Sequence, residues 1–172
     1  GVLKNCIIIN GANSSSAVVV SDGTTAGSAG YFNNITIQNN SIQLAYIALY
    51  CNAVIASGNG NGLLITGNDL NTSGTNAVRL VGAYLQGVDG GTVSNNNFGN
   101  FTIADASNVT GVWFATGTVN STISGNSITN LVGAAIGAPR GIAVSSAYAN
   151  ANINITGNTI SNISCGYSAP PY

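Results

Sequence analysis

The chain has 172 residues, of which only 4% are charged and 45% are hydrophobic, and its formal net charge is -1. Three cations, four aspartates and no Glu or His leave no basic surface for nucleic acid or for an anionic membrane. The periodic recurrence of Ile, Val and Leu argues against disorder, and no apolar run is long enough to span a membrane.

Six similar segments recur along the chain, each with an asparagine at its fourth position. They are "IIINGA" from Ile7, "IQNNSI" from Ile37, "ITGNDL" from Ile65, "VSNNNF" from Val93, "ISGNSI" from Ile123 and "ITGNTI" from Ile155. Their asparagines, 28 to 32 residues apart, are Asn10, Asn40, Asn68, Asn96, Asn126 and Asn158. A second apolar segment lies between them: "AVVV" at 17, "YIAL" at 46, "AVRL" at 77, "GVWF" at 111 and "GIAV" at 141.

This alternation indicates one structural unit repeated between five and six times. Both segments predict short strands, because they are rich in β-branched residues and are bounded by Gly, Asn and Ser. Hairpins would not require an asparagine at the same place in every unit, whereas stacked parallel coils would. We therefore predict an all-β, single-stranded parallel β-helix over residues 1–164, with coils of 28–32 residues. Residues 165–172 contain Pro170 and Pro171 and are expected to form a tail or linker.

Stacking of the coils predicts a ladder in which each asparagine amide donates to one neighbour and accepts from the other. We also expect the ladder asparagines to adopt the left-handed conformation that turns the chain out of a strand. Core positions before the turn are predicted at Ile7, Ile37, Ile65, Val93, Ile123 and Ile155. Those after it are predicted at Ala12, Ile42, Leu70, Phe98, Ile128 and Ile160. Core pairs of the second strand are predicted at Val18 and Val20, Ile47 and Leu49, Val78 and Leu80, Val112 and Phe114, and Ile142 and Val144.

The segments "ITGNTI", "ISGNSI" and "ITGNDL" resemble the repeat of right-handed parallel β-helix proteins of the pectate-lyase-like superfamily. Similar Asn-, Ser- and Thr-rich versions occur in secreted and surface proteins of Bacteroidetes. The resemblance covers about residues 3 to 164. It implies a right-handed helix and an exported protein, but the fold carries enzymes, adhesins and inert stalks alike.

Polysaccharide-cleaving members of that superfamily use acidic Ca²⁺ sites or paired carboxylates. The aspartates here are scattered through separate segments, at Asp22, Asp69, Asp89 and Asp105. We therefore predict no catalytic residues, no metal and no cofactor. Cys6, Cys51 and Cys165 show no metal-ligand spacing, so we expect small residues in packed or half-packed positions, and a disulfide between two of them stays open.

Two outer faces are candidate binding surfaces. On the second strand, Arg79 and Trp113 are predicted to be neighbours, with Tyr50 nearby, and to form a platform for a surface glycan. Ala48 is predicted as the outward centre of its strand, with Tyr46 and Tyr50 on either side of it. The loop of residues 100–111 could overhang this face, although it is also expected to pack down on Trp113.

The outward positions of the first strand predict a flat array rich in hydroxyl groups. They are Cys6, Thr36, Leu64, Thr92, Thr122 and Asn154 in one row and Ile8, Gln38, Thr66, Ser94, Ser124 and Thr156 in the other. The array resembles the ice-binding faces of solenoid antifreeze proteins, but Thr also simply suits exposed strand positions.

The favoured interpretation is a non-catalytic structural or adhesive solenoid, extracellular or on the cell surface. Alternatives are a carbohydrate-binding module, an ice-binding solenoid, and the non-catalytic part of a polysaccharide lyase or hydrolase. The apolar segment near the start and the absence of a capping helix predict a piece of a longer solenoid or end-to-end stacking of copies. Nine Asn-x-Ser/Thr sequons are compatible with export.

Overall fold

The computed structural model describes residues 1–11, 14–21, 27–103, 107–134 and 137–166. The prediction of an all-β parallel β-solenoid is confirmed, with five full coils and part of a sixth. Each full coil contains three strands that contribute to three parallel sheets, which we call A, B and C in the order in which a coil visits them. One 3-10 turn, Gly74–Asn76, is the only helical element among the described residues.

Strands of equivalent position stack in coil order. Sheet A contains β1 (Val2–Lys4), β4 (Thr36–Gln38), β7 (Leu64–Thr66), β10 (Thr92–Ser94), β13 (Thr122–Ser124) and β16 (Asn154–Thr156). Sheet B contains β2 (Ile7–Ile9), β5 (Ser41–Gln43), β8 (Asp69–Leu70), β11 (Asn97–Gly99), β14 (Ser127–Gly133) and β17 (Thr159–Cys165). Sheet C contains β3 (Ser16–Val20), β6 (Ile47–Asn52), β9 (Val81–Gln86), β12 (Thr110–Phe114) and β15 (Arg140–Val144).

The recurring asparagine segment forms a corner between two strands, one in sheet A and one in sheet B, rather than a single strand. The ladder asparagine lies at this corner, and the residue before it has a positive φ. These left-handed residues are Asn5, Asn39, Gly67, Asn95, Gly125 and Gly157. The prediction that the ladder asparagine itself takes this conformation is wrong, because its side chain points inward while its predecessor makes the bend.

The ladder runs through five of the six predicted asparagines. Asn40 donates to Asn68, Asn68 to Asn96, Asn96 to Asn126 and Asn126 to Asn158, with Nδ2–Oδ1 distances of 2.9 to 3.0 Å. Each of the five also donates an Nδ2 proton to a backbone carbonyl of the preceding coil. The side chains of the first four, from Asn40 to Asn126, are buried, so the ladder satisfies polar groups that have no access to water.

Asn10 is not part of this ladder. Its position is held by Cys6, whose backbone N–H donates to Asn40 Oδ1 at 3.0 Å. Asn10 instead follows β2 and donates to Ser15. The prediction is wrong because the 30-residue spacing from Asn10 to Asn40 resembles the later intervals, whereas the true interval from Cys6 to Asn40 is longer.

The same shift changes the core of the first coil. Leu3 pairs with Ile37 and Ile8 pairs with Ile42, so these residues head the core columns of sheets A and B. The predicted core residue Ile7 is 76% exposed, and Ala12 lies outside the described residues. In the other coils the predicted sheet A and sheet B columns are confirmed, and they are buried from the second coil to the fifth.

The third strand of the middle coil is β9, not the segment "AVRL" at 77. The 3-10 turn and the residues after it occupy that stretch, so the inward pair of the strand is Ala83 and Leu85 rather than Val78 and Leu80. Val78 is nevertheless buried in the core, as predicted, although it lies outside the strand. β9 contains Gly82, where a Cβ would overlap the ring of Phe98. The preceding segment "AVRL" has the same apolar pattern as the third strands of the other coils, which is why it was predicted in place of β9. In β6 the buried inward pair is Leu49 and Cys51 instead of Ile47 and Leu49.

Candidate functional surfaces

A row of aromatic side chains runs along the outer face of sheet C. Tyr50, Tyr84 and Trp113 occupy equivalent positions in consecutive coils. The Tyr50 and Tyr84 rings are parallel within 5°, with centroids 5.2 Å apart, and Trp113 meets Tyr84 edge-to-face at 5.3 Å. Burial and, secondarily, the neighbouring Tyr50 raise the pKa of the Tyr84 phenol.

Arg79 is not part of this row. The residue opposite Trp113 is Tyr84, so the predicted contact between Arg79 and Trp113 is wrong. Arg79 lies before β9, where its backbone N–H donates to Ala45, and its buried Nε has no hydrogen-bond partner among the described residues. Likewise, Tyr50 rather than Ala48 is the outward centre of β6, and Ala48 is buried.

The aromatic row is mainly a packing element. Tyr50 and Tyr84 turn a ring face toward each other, and the Trp113 Nε1–H donates to Ser145 Oγ at 2.8 Å. Such cross-strand aromatic pairs stabilise a sheet beyond the area that they bury. Trp113 is nevertheless only half-buried, and the loop before it is described up to Ile103 and from Ser107, whose hydroxyl lies 3.5 Å from the Tyr46 hydroxyl.

The outer face of sheet A carries the predicted array from the second coil onward. Thr92 pairs with Thr122, and Ser94 Oγ donates to Thr66 Oγ1 at 3.1 Å. In the first coil the outward residues are Val2 and Lys4, so the prediction of Cys6 and Ile8 is wrong. Aliphatic and amide side chains, among them Leu64 and Gln38, interrupt the hydroxyl groups.

The two described carboxylates lie at different corners of the solenoid. Asp69 is in β8 of sheet B, whereas Asp89 is in the turn from sheet C to sheet A. Asp22 and Asp105 lie outside the described residues. Within the described ranges, no three His, Cys, Asp or Glu side chains come together as a metal site would require.

All three cysteines are free thiols. Cys51 is buried between Val20 and Leu85 in a core column of sheet C, and burial raises its pKa to about 12. Cys6 is partly buried and Cys165 is exposed at the end of β17. The expectation of packed or half-packed cysteines therefore holds for Cys51 and Cys6 and does not hold for Cys165.

The turns from sheet C to sheet A have unequal lengths, and this creates a groove. The turns begin at Ala53, Gly87, Gly117 and Ala147, which are aligned by backbone hydrogen bonds, and the last three end at the aligned positive-φ residues Gly90, Asn120 and Asn152. The first turn ends at Gly62, which also has a positive φ. The first and last residues of each of the two middle turns are three positions apart in the sequence. The corresponding separation is nine positions from Ala53 to Gly62 and five from Ala147 to Asn152.

The two short turns thus form the floor of the groove and the two long turns form its walls. The cavity has a volume of about 420 Å³. Asp89, Gly117 and Asn120 line the floor, Ile55 lines one wall, and Tyr148 and Asn150 line the other. The sequence analysis missed this site, although the unequal spacing between the end of each third strand and the next first strand is the signal that would have revealed it.

Asp89 is held rigidly in this floor. Its Oδ2 accepts the Gly58 N–H at 2.7 Å, and its Oδ1 accepts the Asn120 Nδ2 at 2.7 Å. Asn120 Oδ1 in turn accepts Asn152 Nδ2 at 3.0 Å. The Gly58 N–H, and then Asn120, lower the pKa of the Asp89 carboxyl, so the groove floor carries a negative charge at neutral pH.

Comparisons with known proteins add no relative: no family model, no curated protein and no solved structure matches the chain. No helix in the described part of the chain is long and apolar enough to cross a membrane.

Proposed function

We propose that the chain is a non-catalytic structural segment of an exported protein, acting as a stiff spacer or display element at the cell surface or in a fibre. The observation that supports this most directly is the asparagine ladder from Asn40 to Asn158, continuous over five consecutive coils. Together with three in-register parallel sheets, it couples every coil to its neighbours and resists bending between them.

The low charge of the chain supports the same role. With 4% charged residues, its stability and shape depend little on salt, which suits a rod exposed to changing surroundings. The resemblance of the repeat to right-handed, pectate-lyase-like β-helices of secreted Bacteroidetes proteins supports the proposal of export and of membership in that group. The aromatic row offers less support for a glycan platform than the sequence suggested, because Tyr50 and Tyr84 cover each other's faces.

The spacer role is tested by removing or repeating one coil. Val93 and Ile123 are equivalent, so deletion of residues 93–122 joins matched positions and brings Asn68 against Asn126. The protein used carries Lys4→Cys and Cys6→Ser. Spin labels are attached at position 4 and at the exposed Cys165, whereas the buried Cys51 stays unlabelled. We expect the separation along the axis to shorten by about 4.8 Å on deletion and to lengthen by about 4.8 Å when the coil is duplicated.

If the chain is a rod, the distance between the two spin labels is narrowly distributed in the unaltered chain and in each variant. It is also unchanged between low and high salt. Broad or salt-dependent distances in the unaltered chain would contradict the proposal directly, even if a variant failed to fold. The non-catalytic part is tested separately, by incubating the protein with neutral and acidic polysaccharides and measuring reducing ends. Release that disappears in the Asp89→Asn variant would identify an enzyme and overturn the proposal.

A further inference from the structure

We propose that the groove between the turns of residues 54–61 and 148–151 binds a primary ammonium group carried on an apolar stem, such as a small alkylamine or a lysine side chain. This site does not depend on the spacer role, because it is formed by turn residues outside the three sheets. The proposal follows from the charge of the groove, the nature of its walls and the rigidity of its floor.

The groove carries a negative charge, and no lysine or arginine is among the described residues that line it. Among the described residues that line the cavity, Asp89 is the one that carries a charge. The three Lys and Arg side chains lie in other segments: Lys4 is in β1, Arg79 precedes β9 and Arg140 begins β15. The ammonium group of Gly1 donates to the Asn34 carbonyl and does not line the cavity. A concave surface with one sign of charge favours ligands of the opposite sign. Anionic ligands would be repelled, and a cation would find no competing positive side chain.

The carboxylate is oriented in advance. The Gly58 N–H and the Asn120 amide each donate to a different Asp89 oxygen, which leaves each oxygen with capacity to accept a further hydrogen bond. Because Asn152 holds Asn120 from the next coil, a ligand does not have to order this network when it binds. An ammonium group has three donors and no acceptor, which matches a floor of carboxylate and amide oxygens.

The walls supply an aromatic ring and aliphatic surface. Tyr148 is 51% exposed and Ile55 is 47% exposed, although both line the cavity. An aromatic ring attracts an organic cation through its face, and aliphatic surface beside it suits the stem of an amine. The volume of about 420 Å³ lies within the range of small-ligand sites.

The backbone before Tyr148 is strained. Ala147 has a φ of 63°, whereas the equivalent residues of the two preceding coils are Gly87 and Gly117. Residues with a Cβ other than Asn and Asp rarely adopt this conformation. The chain thus keeps an unfavourable conformation at the base of the turn that carries Tyr148 and Asn150 to the groove. Such outliers cluster at functional sites.

The experiment is a titration of the ¹⁵N-labelled full chain followed by amide chemical shifts. The probes are n-butylammonium chloride and N-acetyl-lysine methylamide, which distinguish a free amine from a lysine side chain. We expect saturable shifts at Gly58, Gly117 and the side-chain amides of Asn120 and Asn150 with at least one probe. Affinity should fall several-fold between low and high salt, since the site is charged and exposed.

Matched variants separate charge from shape. Asp89→Asn retains the size of the side chain and should weaken binding about tenfold, whereas Asp69→Asn removes an exposed carboxylate elsewhere and should have no effect. Tyr148→Leu should weaken binding, whereas Tyr31→Leu, another exposed tyrosine, should not. Unchanged backbone amide shifts of Val112 and Ile128, which are buried in the core and do not line the groove, report that each variant remains folded.

Three results would overturn the proposal. The first is the absence of saturable shifts at the groove with either probe. The second is binding that is equally strong in Asp89→Asn or independent of salt. The third is a groove that responds to methyl glycosides of neutral hexoses and not to the amines, which would identify a sugar site instead.

Discussion

Asn96 donates its Nδ2 to Asn126 Oδ1 at 3.0 Å, while its own Oδ1 accepts both the backbone N–H and the Nδ2 of Asn68. A single buried amide therefore satisfies groups in the coils on both sides of it. Since unpaired buried polar groups are costly, this relationship couples the stability of adjacent coils.

Replacement of Asn96 by Ala should lower the free energy of unfolding by about 3 kcal/mol, because it leaves several buried donors and acceptors without partners. Urea unfolding followed by circular dichroism measures the effect. Asn158→Ala, at the end of the ladder, should cost less, and Asn97→Ala is the control, because Asn97 donates to Asp69 at the surface. Equal losses in Asn96→Ala and Asn97→Ala would show that the ladder does not couple the coils.

Replacement of Cys6 by Asn should stabilise the protein by about 1 kcal/mol. Cys6 already donates its backbone N–H to Asn40 Oδ1, so an Asn side chain at this position extends the ladder by one rung. Thermal unfolding of Cys6→Asn is compared with Cys6→Ser, which removes the thiol without adding the amide. If both variants have the same melting temperature, Cys6 is not at a ladder position.

Replacement of Gly111 by Ala should destabilise the protein by about 1–3 kcal/mol through overpacking. A Cβ there would lie 2.6 Å from the Gly141 carbonyl oxygen and 2.7 Å from Ile128 Cγ2. Gly166→Ala is the matched control, because its nearest contact is an ordinary 3.6 Å. The prediction fails if the two variants unfold at the same urea concentration.

The Cys51 thiol should resist alkylation in the folded protein. Burial raises its pKa to about 12, so at pH 8 it is protonated as well as shielded, whereas Cys165 is exposed. Iodoacetamide labelling followed by peptide mass spectrometry should modify Cys165 first and Cys51 only after urea is added. Modification of Cys51 without denaturant would contradict its place in the core.

The stability should depend on pH through Asp89. Because the folded state has the lower pKa, the ionised carboxylate stabilises the fold at neutral pH, and this contribution is lost as the pH falls below about 4. Urea unfolding at pH 7 and pH 3 should show wild type more stable than Asp89→Asn at pH 7, with a smaller difference at pH 3. A difference that does not change with pH would mean that Asp89 has an ordinary pKa.

The sequence alone determined the fold class, the number of coils, five of the six proposed ladder positions and most of the core. These features repeat in every coil, so the recurrence of Ile, Val and Asn at intervals of 28 to 32 residues predicts them directly from the sequence. The same approach failed where the repeat is irregular. It placed the first coil on Asn10 instead of Cys6, and it placed the third strand of the middle coil on Arg79 instead of Tyr84.

Only the tertiary structure decided the surfaces. The row from Tyr50 to Trp113 depends on which residues of successive coils are stacked. The groove at Asp89 and Tyr148 depends on the different lengths of four turns that are far apart in the chain. Register and turn length are set by packing between coils, which no single segment of the sequence encodes.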